Sequence, residues 1–199
     1  MHRHPCPPLG GLFGLLLLAL AGCSPAGVVG GGAAAGVAAV EERTVGEAID
    51  DSVISTKIDS NLLQKDIDLF RRVGVEVIEG RVLLTGSVPT TDARIEAVRQ
   101  AWRVAGVKEV INELQVTDKG GIVDYARDSW ISAQLRTKLL LDKEIQSVNY
   151  SIETVNGIVY LIGIAQDQAE LDRVTNHARN IRYVEKVVSY VRLPAASKG

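Results

Sequence analysis

Histidine and cysteine, two of the side chains most used in catalysis, are few in this sequence and are not grouped. A nucleophilic or metal-dependent active site needs histidine, cysteine and carboxylate side chains close together. Beyond the first six residues, the histidine content is His177 alone and the cysteine content is Cys23 alone. His177 lies on a predicted helix, where a single histidine is typical of a surface or boundary position. We therefore predict no catalytic residue, no metal site and no cofactor.

Two other patterns could suggest chemistry and are better explained by structure. Gly80 to Ser87 has the spacing G-x5-G-S, which superficially resembles a phosphate-binding loop. It lacks the lysine and the four-residue spacing, and it lies in a predicted hairpin instead of between a strand and a helix. The adjacent carboxylates Asp50 and Asp51 are interpreted as helix-start residues that the helix dipole favours. We expect neither enzymatic activity nor a small-molecule substrate.

The position of Cys23 predicts a covalent modification. Arg3 gives a basic start, and Leu9–Ala21 is an uncharged run of 13 residues. Such a run is too short to span a bilayer and fits the core of a signal peptide. Leu20-Ala21-Gly22-Cys23 resembles the bacterial lipobox, in which the signal peptide is cleaved before an acylated cysteine. We predict a signal peptide over residues 1–22 and lipidation of Cys23. The alternative is an ordinary secretory signal followed by a chance cysteine.

The segment after Cys23 predicts a tether and a location. Gly27–Val40 is nearly all Gly, Ala and Val, which makes it weakly apolar and a poor helix. We interpret residues 23–43 as the acylated cysteine and a flexible tether, in preference to a second membrane segment. In the sorting scheme of bacterial lipoproteins, Ser24 in place of Asp implies export. We expect a lipid-anchored protein of the outer membrane that faces the periplasm.

From about Thr44 onward the sequence is a tandem duplication with an offset of 77 residues. Val75–Gly86 recurs as Ile152–Gly163, and each copy predicts a strand, a tight turn and a second strand. Two-residue hairpin turns require positive φ, which glycine accepts readily. A shared offset over this length indicates duplication and not chance composition. The matched glycines with a predicted structural role at the turns are Gly80, Gly86, Gly157 and Gly163.

Each copy opens with a predicted amphipathic helix, because apolar residues recur at every fourth position. The predicted core residues of these helices are Ile54, Ile58 and Leu62 in the first copy and Ile131, Leu135 and Leu139 in the second. Asp51-Ser52 and Asp128-Ser129 are the predicted N-caps. A second helix follows each hairpin, over Thr91–Val104 and Gln168–Ile181. Its predicted inward residues are Ile95, Val98 and Trp102 in the first copy and Leu171, Val174 and Ala178 in the second.

A last strand closes each copy, over Val107–Val116 and Val184–Leu193. The fold class predicted from this order is α+β, with two tandem α-β-β-α-β sandwich domains. In each domain two helices cover one face of a three-stranded sheet. The predicted segments are a first domain at 44–117, a linker at 118–123, a second domain at 124–193 and a tail at 194–199.

The charge of the chain excludes one class of partner. Lys and Arg number 22 against 24 Asp and Glu, which gives a net charge of −2. Nucleic-acid binding requires a strongly basic surface. We therefore expect no nucleic-acid partner.

The order of elements, the G-x-V-x-L-x-G hairpin in both copies and the strand that begins at Gly106-Val107 resemble the BON domain, a bacterial periplasmic module. The layout, from the lipobox and the tether to Asp128-Ser129-Trp130-Ile131, resembles the dual-BON outer-membrane lipoproteins. That family is associated with division and outer-membrane stress, and it binds lipid. The resemblance implies binding to anionic phospholipid and support of envelope integrity. The second copy departs from the pattern where Tyr183 replaces the glycine found at Gly106.

One helix face differs between the two copies. In the first helix of the second copy, a set of mainly apolar residues lies opposite the core stripe on a helical wheel: Trp130, Ala133, Thr137, Leu140 and Leu141. The equivalent residues of the first copy are less apolar: Val53, Thr56, Ser60, Leu63 and Gln64. Two interpretations stay open, a face that contacts a membrane and a face that packs against the first domain and buries Trp130.

We expect this face, with the nearby basic residue Arg136, to bind the anionic phospholipid that the family resemblance implies. The predicted lipid-binding residues are Trp130, Ala133, Arg136, Thr137, Leu140 and Leu141. The alternative function is a protein-interaction adaptor that docks on an outer-membrane assembly machine or a cell-wall complex through the same face. Such assembly proteins are the protein partners we consider.

Overall fold

A computed structural model of the chain describes residues 45–117 and 122–194. Cys23, the predicted signal peptide and the predicted tether lie outside the described residues, as do most of the predicted linker and tail. Within the described ranges, no helix combines the length and the apolarity needed to cross a membrane.

The elements of the first domain follow the predicted order, with one added helix and a divided last strand. They are α1 (Val45–Lys65), α2 (Ile67–Arg72), β1 (Val73–Ile78), β2 (Arg81–Val88), α3 (Thr91–Trp102), β3 (Glu109–Asn112) and β4 (Gln115–Val116). The short helix α2 was not predicted. It begins where Asp66 accepts hydrogen bonds from the backbone N–H groups of Asp68 and Leu69, as an N-cap does.

The elements of the second domain repeat this order. They are α4 (Ile122–Leu141), a 3-10 turn (Ser147–Asn149), β5 (Tyr150–Val155), β6 (Ile158–Ile164), α5 (Gln168–Arg179) and β7 (Lys186–Arg192). Helix α4 begins two residues inside the segment assigned to the linker. The 3-10 turn occupies the place of α2 and was not predicted.

The two sheets share one topology. β1 pairs antiparallel with β2, which pairs parallel with β3 and β4. β5 pairs antiparallel with β6, which pairs parallel with β7. Each hairpin therefore has its second strand in the middle of the sheet, and the helix after the hairpin crosses over to a parallel neighbour of that strand. The predicted α+β class with two tandem α-β-β-α-β domains is confirmed.

Each domain has a core between its helices and one face of its sheet. The predicted stripes of α1 and α4 are confirmed, since Ile58, Leu62, Ile131 and Leu135 have no measurable exposure. On the sheet side, the alternate residues of the central strands complete these cores: Val82 and Leu84 in the first domain and Val159 and Leu161 in the second. The predicted inward residues of α5 are also confirmed, because Val174 and Ala178 are fully buried and Leu171 packs against them.

The predicted orientation of α3 is wrong. Ile95 and Trp102 are 48% and 53% exposed, and only Val98 of the predicted set packs against the core. Ala97 and Ala101 are fully buried instead. Small side chains on this face let the helix lie close to the sheet, and the bulkier residues then lie on its outer flank.

The predicted N-caps are also wrong, because α1 and α4 begin six residues earlier. Asp51 lies inside α1, and its buried carboxylate accepts hydrogen bonds of 2.8 Å from the backbone N–H groups of both Glu79 and Gly80. In the second domain, Asp128 accepts the equivalent bonds of 2.7 and 2.9 Å from Asn156 and Gly157. Each aspartate thus ties the first helix of its domain to the hairpin turn.

Both hairpin turns have positive φ at their two central residues, as in type I′ turns. The values are +55° and +74° at Glu79 and Gly80, and +50° and +76° at Asn156 and Gly157. Gly86 has φ +119°, and a Cβ there would lie 1.9 Å from the Arg72 carbonyl oxygen. At Gly163 the constraint is space alone, because a Cβ would lie 2.3 Å from the Asn149 carbonyl oxygen.

The two domains meet through the outer faces of their sheets. A third buried cluster joins the strands: Ile78, Leu83 and Ile111 of the first domain and Tyr160, Ile162 and Ile164 of the second. The layers therefore run helices, sheet, sheet, helices. Because the sheets face each other and each carries its helices on its other face, the helix layers form the two opposite outer surfaces of this part of the chain.

The interface repeats its contacts with the roles of the domains exchanged. Glu76 lies near Ser151, which lowers its pKa, and Glu153 packs beside Gly74; these pairs are related by the offset of 77 residues. The Tyr190 hydroxyl donates to Glu113, the residue that corresponds to Tyr190 itself. Each domain therefore presents the same patch to the other.

The equivalent residues Glu76 and Glu153 both have raised pKa values. Burial raises the pKa of Glu76, while the hydrogen bond with Ser151 and the charge of Arg136 oppose that change. Burial also raises the pKa of Glu153, and the charge of Glu76 raises it further. Both carboxyl groups hold their protons more tightly in the folded protein than in water.

Candidate functional site

Helix α4 exposes the apolar face that differs between the two copies of the repeat. Trp130 is 43% exposed, and Leu140 and Leu141 are 73% and 75% exposed. Ala133 and Thr137 lie exposed on the same face, and the Thr137 hydroxyl donates to the Ala133 carbonyl at 2.9 Å within the helix. The alternative in which interdomain packing buries Trp130 is wrong, because the domains meet through their sheets.

Arg136 lies apart from this face. Its guanidinium donates to the Ile152 carbonyl at 2.6 Å and lies 4.0 Å from Glu153. Both partners belong to β5, on the inner side of α4. The structure therefore brings together five of the six predicted lipid-binding residues and directs the guanidinium of the sixth toward the sheet.

Tyr183 adds a second aromatic ring to the exposed face. It follows α5 in the chain, and its ring centroid lies 6.1 Å from that of Trp130 at an interplanar angle of 68°. This edge-to-face geometry is a favoured arrangement for aromatic pairs. The ring is 49% exposed. The sequence shows Tyr183 as a departure from the repeat, and it is not among the predicted lipid-binding residues.

Two arginines flank the Tyr183 ring. The guanidinium carbon of Arg182 lies 4.5 Å from the ring centroid, and that of Arg127 lies 5.7 Å away. Both distances fall within the range of cation–π attraction. Arg127 also forms an exposed ion pair of 3.3 Å with Asp124. We call Trp130, Tyr183, Arg127 and Arg182 the aromatic–guanidinium cluster.

The backbone of Tyr183 has φ +71°. This conformation is disfavoured for a residue that carries a Cβ, and glycine adopts it freely. Gly106, the equivalent residue of the first domain, has φ +96°. The loop conformation is therefore common to both domains, and only the second domain places a side chain on it.

The equivalent corner of the first domain has no such cluster. Asp50, Val53, Ala105 and Gly106 stand where the second domain has Arg127, Trp130, Arg182 and Tyr183. One acidic group thus replaces two basic groups, and both rings are missing. The arrangement in the second domain combines exposed aromatic rings, aliphatic side chains and cations, which suits an apolar surface that carries negative charge.

Within the described ranges, His177 lies away from this corner, on α5, with Nε2 2.8 Å from a carboxylate oxygen of Asp142. The contact joins α5 to the end of α4. This hydrogen bond makes the largest contribution to lowering the pKa of Asp142, and a backbone hydrogen bond from Glu144 and the charge of Arg173 lower it further. The histidine thus takes part in a structural hydrogen bond between the two helices.

The chain has clear relatives. The model of the BON domain matches residues 50–118 and 127–195. The outer membrane lipoprotein DolP of Haemophilus influenzae is 36% identical over 94% of this chain and 96% of its own length. An uncharacterized protein in the gshII 5' region of Anaplasma centrale is 48% identical over 73% of this chain and 95% of its own. The 21 kDa hemolysin of Actinobacillus pleuropneumoniae is 35% identical over 76% and 78%.

Proposed function

This chain belongs to the BON-domain family, and on that basis we propose that it is a non-enzymatic, lipid-anchored protein of the bacterial outer membrane. It faces the periplasm, binds anionic phospholipid through the outer face of α4 and supports envelope integrity. The name of the Haemophilus influenzae relative, an outer membrane lipoprotein, supports the location. The lipobox at Cys23 supports the mode of attachment.

The exposed apolar face of α4 is the observation that carries this proposal. Trp130, Leu140 and Leu141 are all more than two-fifths exposed, and contiguous apolar surface of this kind marks an interaction site. Tryptophan suits the boundary between lipid and water, since its ring is apolar and its N–H can stay hydrated. With its apolar face in the head-group layer, α4 would lie along the membrane as an interfacial helix does.

Positive charge beside this face favours anionic lipid over neutral lipid. Arg127 and Arg182 are exposed next to Trp130. A basic residue near an anionic surface contributes about 1 kcal/mol, and salt weakens the attraction.

The anchor makes a weak contact sufficient. Acyl chains on Cys23 would keep the domains near the bilayer through the tether of residues 23–43, so that binding of α4 becomes an intramolecular step at high effective concentration. Each buried methylene of an acyl chain contributes about 0.8 kcal/mol. In this proposal the acyl chains hold the protein at the membrane, and α4 orients the domains on the bilayer and selects anionic lipid.

The fluorescence of Trp130 tests this proposal directly. The chain has two tryptophans, so the variant Trp102→Phe reports on Trp130 alone, and Trp130→Phe reports on Trp102. The acylated protein is placed in vesicles with a lipid-attached quencher, with and without phosphatidylglycerol. We expect quenching of Trp130 that depends on the anionic lipid. Trp102, on the opposite helix layer, is the internal control and should stay unquenched.

Substitutions at equivalent positions provide a second test. Trp130→Glu should lower vesicle binding by about tenfold or more, which corresponds to about 1.4 kcal/mol, and Val53→Glu should leave it intact. The assay is co-sedimentation of residues 23–199 with Cys23→Ser, so that no acyl chain holds the variants on the membrane. Equal losses from both variants, or binding that ignores lipid charge, would contradict the proposal and favour the adaptor function.

A further inference from the structure

The fold of the second domain does not explain why a tyrosine occupies position 183. Its φ of +71° is a conformation that glycine would adopt without strain. Burial does not compensate for the strain, because the side chain is 49% exposed. A strained residue that the core does not need points to a role outside folding.

The contacts of the Tyr183 ring indicate that role. The guanidinium carbon of Arg182 lies 4.5 Å from the ring centroid and that of Arg127 lies 5.7 Å from it. A guanidinium over a ring face keeps N–H donors available, and two such donors match two oxygens of a phosphate. Among residues 45–117 and 122–194, Arg182 has no carboxylate partner within ion-pair distance, whereas Arg127 shares Asp124 at 3.3 Å.

The ring also sets the depth of these arginines. Its centroid lies 6.1 Å from that of Trp130, and a tryptophan at a membrane lies at the level of the head groups. The guanidiniums would then lie at the level of the lipid phosphates. We propose that Tyr183 is a positioning residue that organises Arg182 and Arg127 into a binding site for the phosphate of an anionic phospholipid. This inference rests on the proposed lipid-binding function.

The inference differs from simple attraction between opposite charges. A diffuse basic surface binds any anionic membrane of equal charge, whereas two guanidiniums held at the level of the lipid phosphates reach a phosphate better than the carboxylate of a fatty acid, which is joined directly to its acyl chain and lies deeper. The site should therefore prefer phosphatidylglycerol to an anionic lipid that lacks phosphate, such as oleate, at matched surface charge.

The experiment uses the full-length acylated chain with Trp102→Phe, and it compares Tyr183, Tyr183→Gly and Tyr183→Phe. Quenching of Trp130 by a lipid-attached quencher is followed as phosphatidylglycerol, or oleate at matched surface charge, is added to phosphatidylcholine vesicles. We expect Tyr183→Gly to need at least threefold more phosphatidylglycerol for half-maximal quenching and to lose the preference over oleate. Tyr183→Phe keeps the ring face and should behave as the parent does.

Thermal unfolding of the same variants separates positioning from a structural role. Tyr183→Gly relieves the positive φ, so its melting temperature should be unchanged or higher although its lipid binding is weaker. Arg182→Ala should weaken binding in the parent and have little further effect in Tyr183→Gly, because the two residues act as a unit.

Several results would overturn the inference. They are unchanged binding by Tyr183→Gly, equal losses in Tyr183→Gly and Tyr183→Phe, or a lower melting temperature of Tyr183→Gly together with its loss of binding. Failure of the proposed function looks different, because Trp130 of the parent would then stay unquenched at every content of anionic lipid.

Discussion

The same corner occurs in both domains, where the hairpin turn, the first helix and the loop after the second helix meet. In both, a buried aspartate of the helix accepts two backbone hydrogen bonds from the turn. In both, the loop residue has positive φ. Around this shared frame the first domain places Asp50 and Val53, and the second places Arg127 and Trp130.

The comparison separates what the fold requires from what one copy has added. Asp51 and Asp128 are the same residue with the same partners, so their role belongs to the domain itself. Tyr183 and Trp130 have no counterpart of their kind in the first domain, and both are about half exposed. A duplicated chain thus contains its own control: features that both copies keep are structural, and features of one copy are candidates for function.

The largest effect is expected at Asp51 and Asp128, whose hydrogen bonds to the hairpin turn occur in both domains. Asp51→Ala and Asp128→Ala each leave two backbone N–H groups without their charged acceptor, so each should lower the free energy of unfolding of its domain by about 3 kcal/mol. Hydrogen exchange at the amides of Gly80 and Gly157 measures the effect locally. Asp50→Ala, at an exposed neighbour, is the control. A large loss in one domain alone would show that the contact is not a common folding device.

The turn glycines sharpen the comparison, because their surroundings differ. A Cβ on Gly80 would lie 2.6 Å from the Gly106 carbonyl oxygen. A Cβ on Gly157 would lie 3.2 Å from the equivalent Tyr183 carbonyl oxygen and 3.1 Å from the flexible Glu185 side chain. Both substitutions suffer the positive φ. We expect Gly80→Ala to cost roughly 2–3 kcal/mol and Gly157→Ala roughly 1–2 kcal/mol. Denaturant unfolding of the two variants measures the difference, and the reverse order would contradict the geometry.

The smallest effect is expected at the interface between the domains. The folded-state pKa values of Glu76 and Glu153 are raised above their ordinary value near 4.5, so protonation favours the folded state. The protonated carboxyl groups make their full contribution to the free energy of unfolding at pH values below 4.5. This contribution is lost as the pH rises through the folded-state pKa. Glu76→Gln or Glu153→Gln should remove this loss and stabilise the protein at pH 7 by about 0.5 kcal/mol. Melting temperatures at pH 4 and pH 7 measure it; a variant that is stabilised equally at both pH values would contradict the assignment.

Much of the architecture could be predicted from the sequence, because the signals were local and appeared twice. The stripes through Ile58 and Leu135 and the two hairpin turns depend on spacing and on glycine alone. The orientation of α3 could not be read in this way. Hydrophobicity alone places Ile95 and Trp102 inside, whereas the helix approaches the sheet through Ala97 and Ala101, and only the packed structure shows that approach.

The wrong N-cap assignment and the missed role of Tyr183 have a common cause, which is contact between residues distant in the chain. Asp51 resembles an N-cap when only its neighbours are considered, and its true partners are 28 and 29 residues away. Tyr183 reaches Trp130 across the domain. The signal that could have identified Tyr183 was present, because it replaces a glycine of the repeat at a loop that still requires glycine-like φ.

The exchange of roles across the sheet interface is the geometry of a two-fold symmetric homodimer, in which residue i meets residue j and j meets i. Here one polypeptide carries both subunits, so their pairing does not depend on protein concentration. A true homodimer would repeat every substitution, and a tryptophan at position 130 would appear on both outer helix layers, of which a single bilayer could meet only one. A duplicated chain lacks that constraint, because one half can carry an exposed surface that the other half does not share.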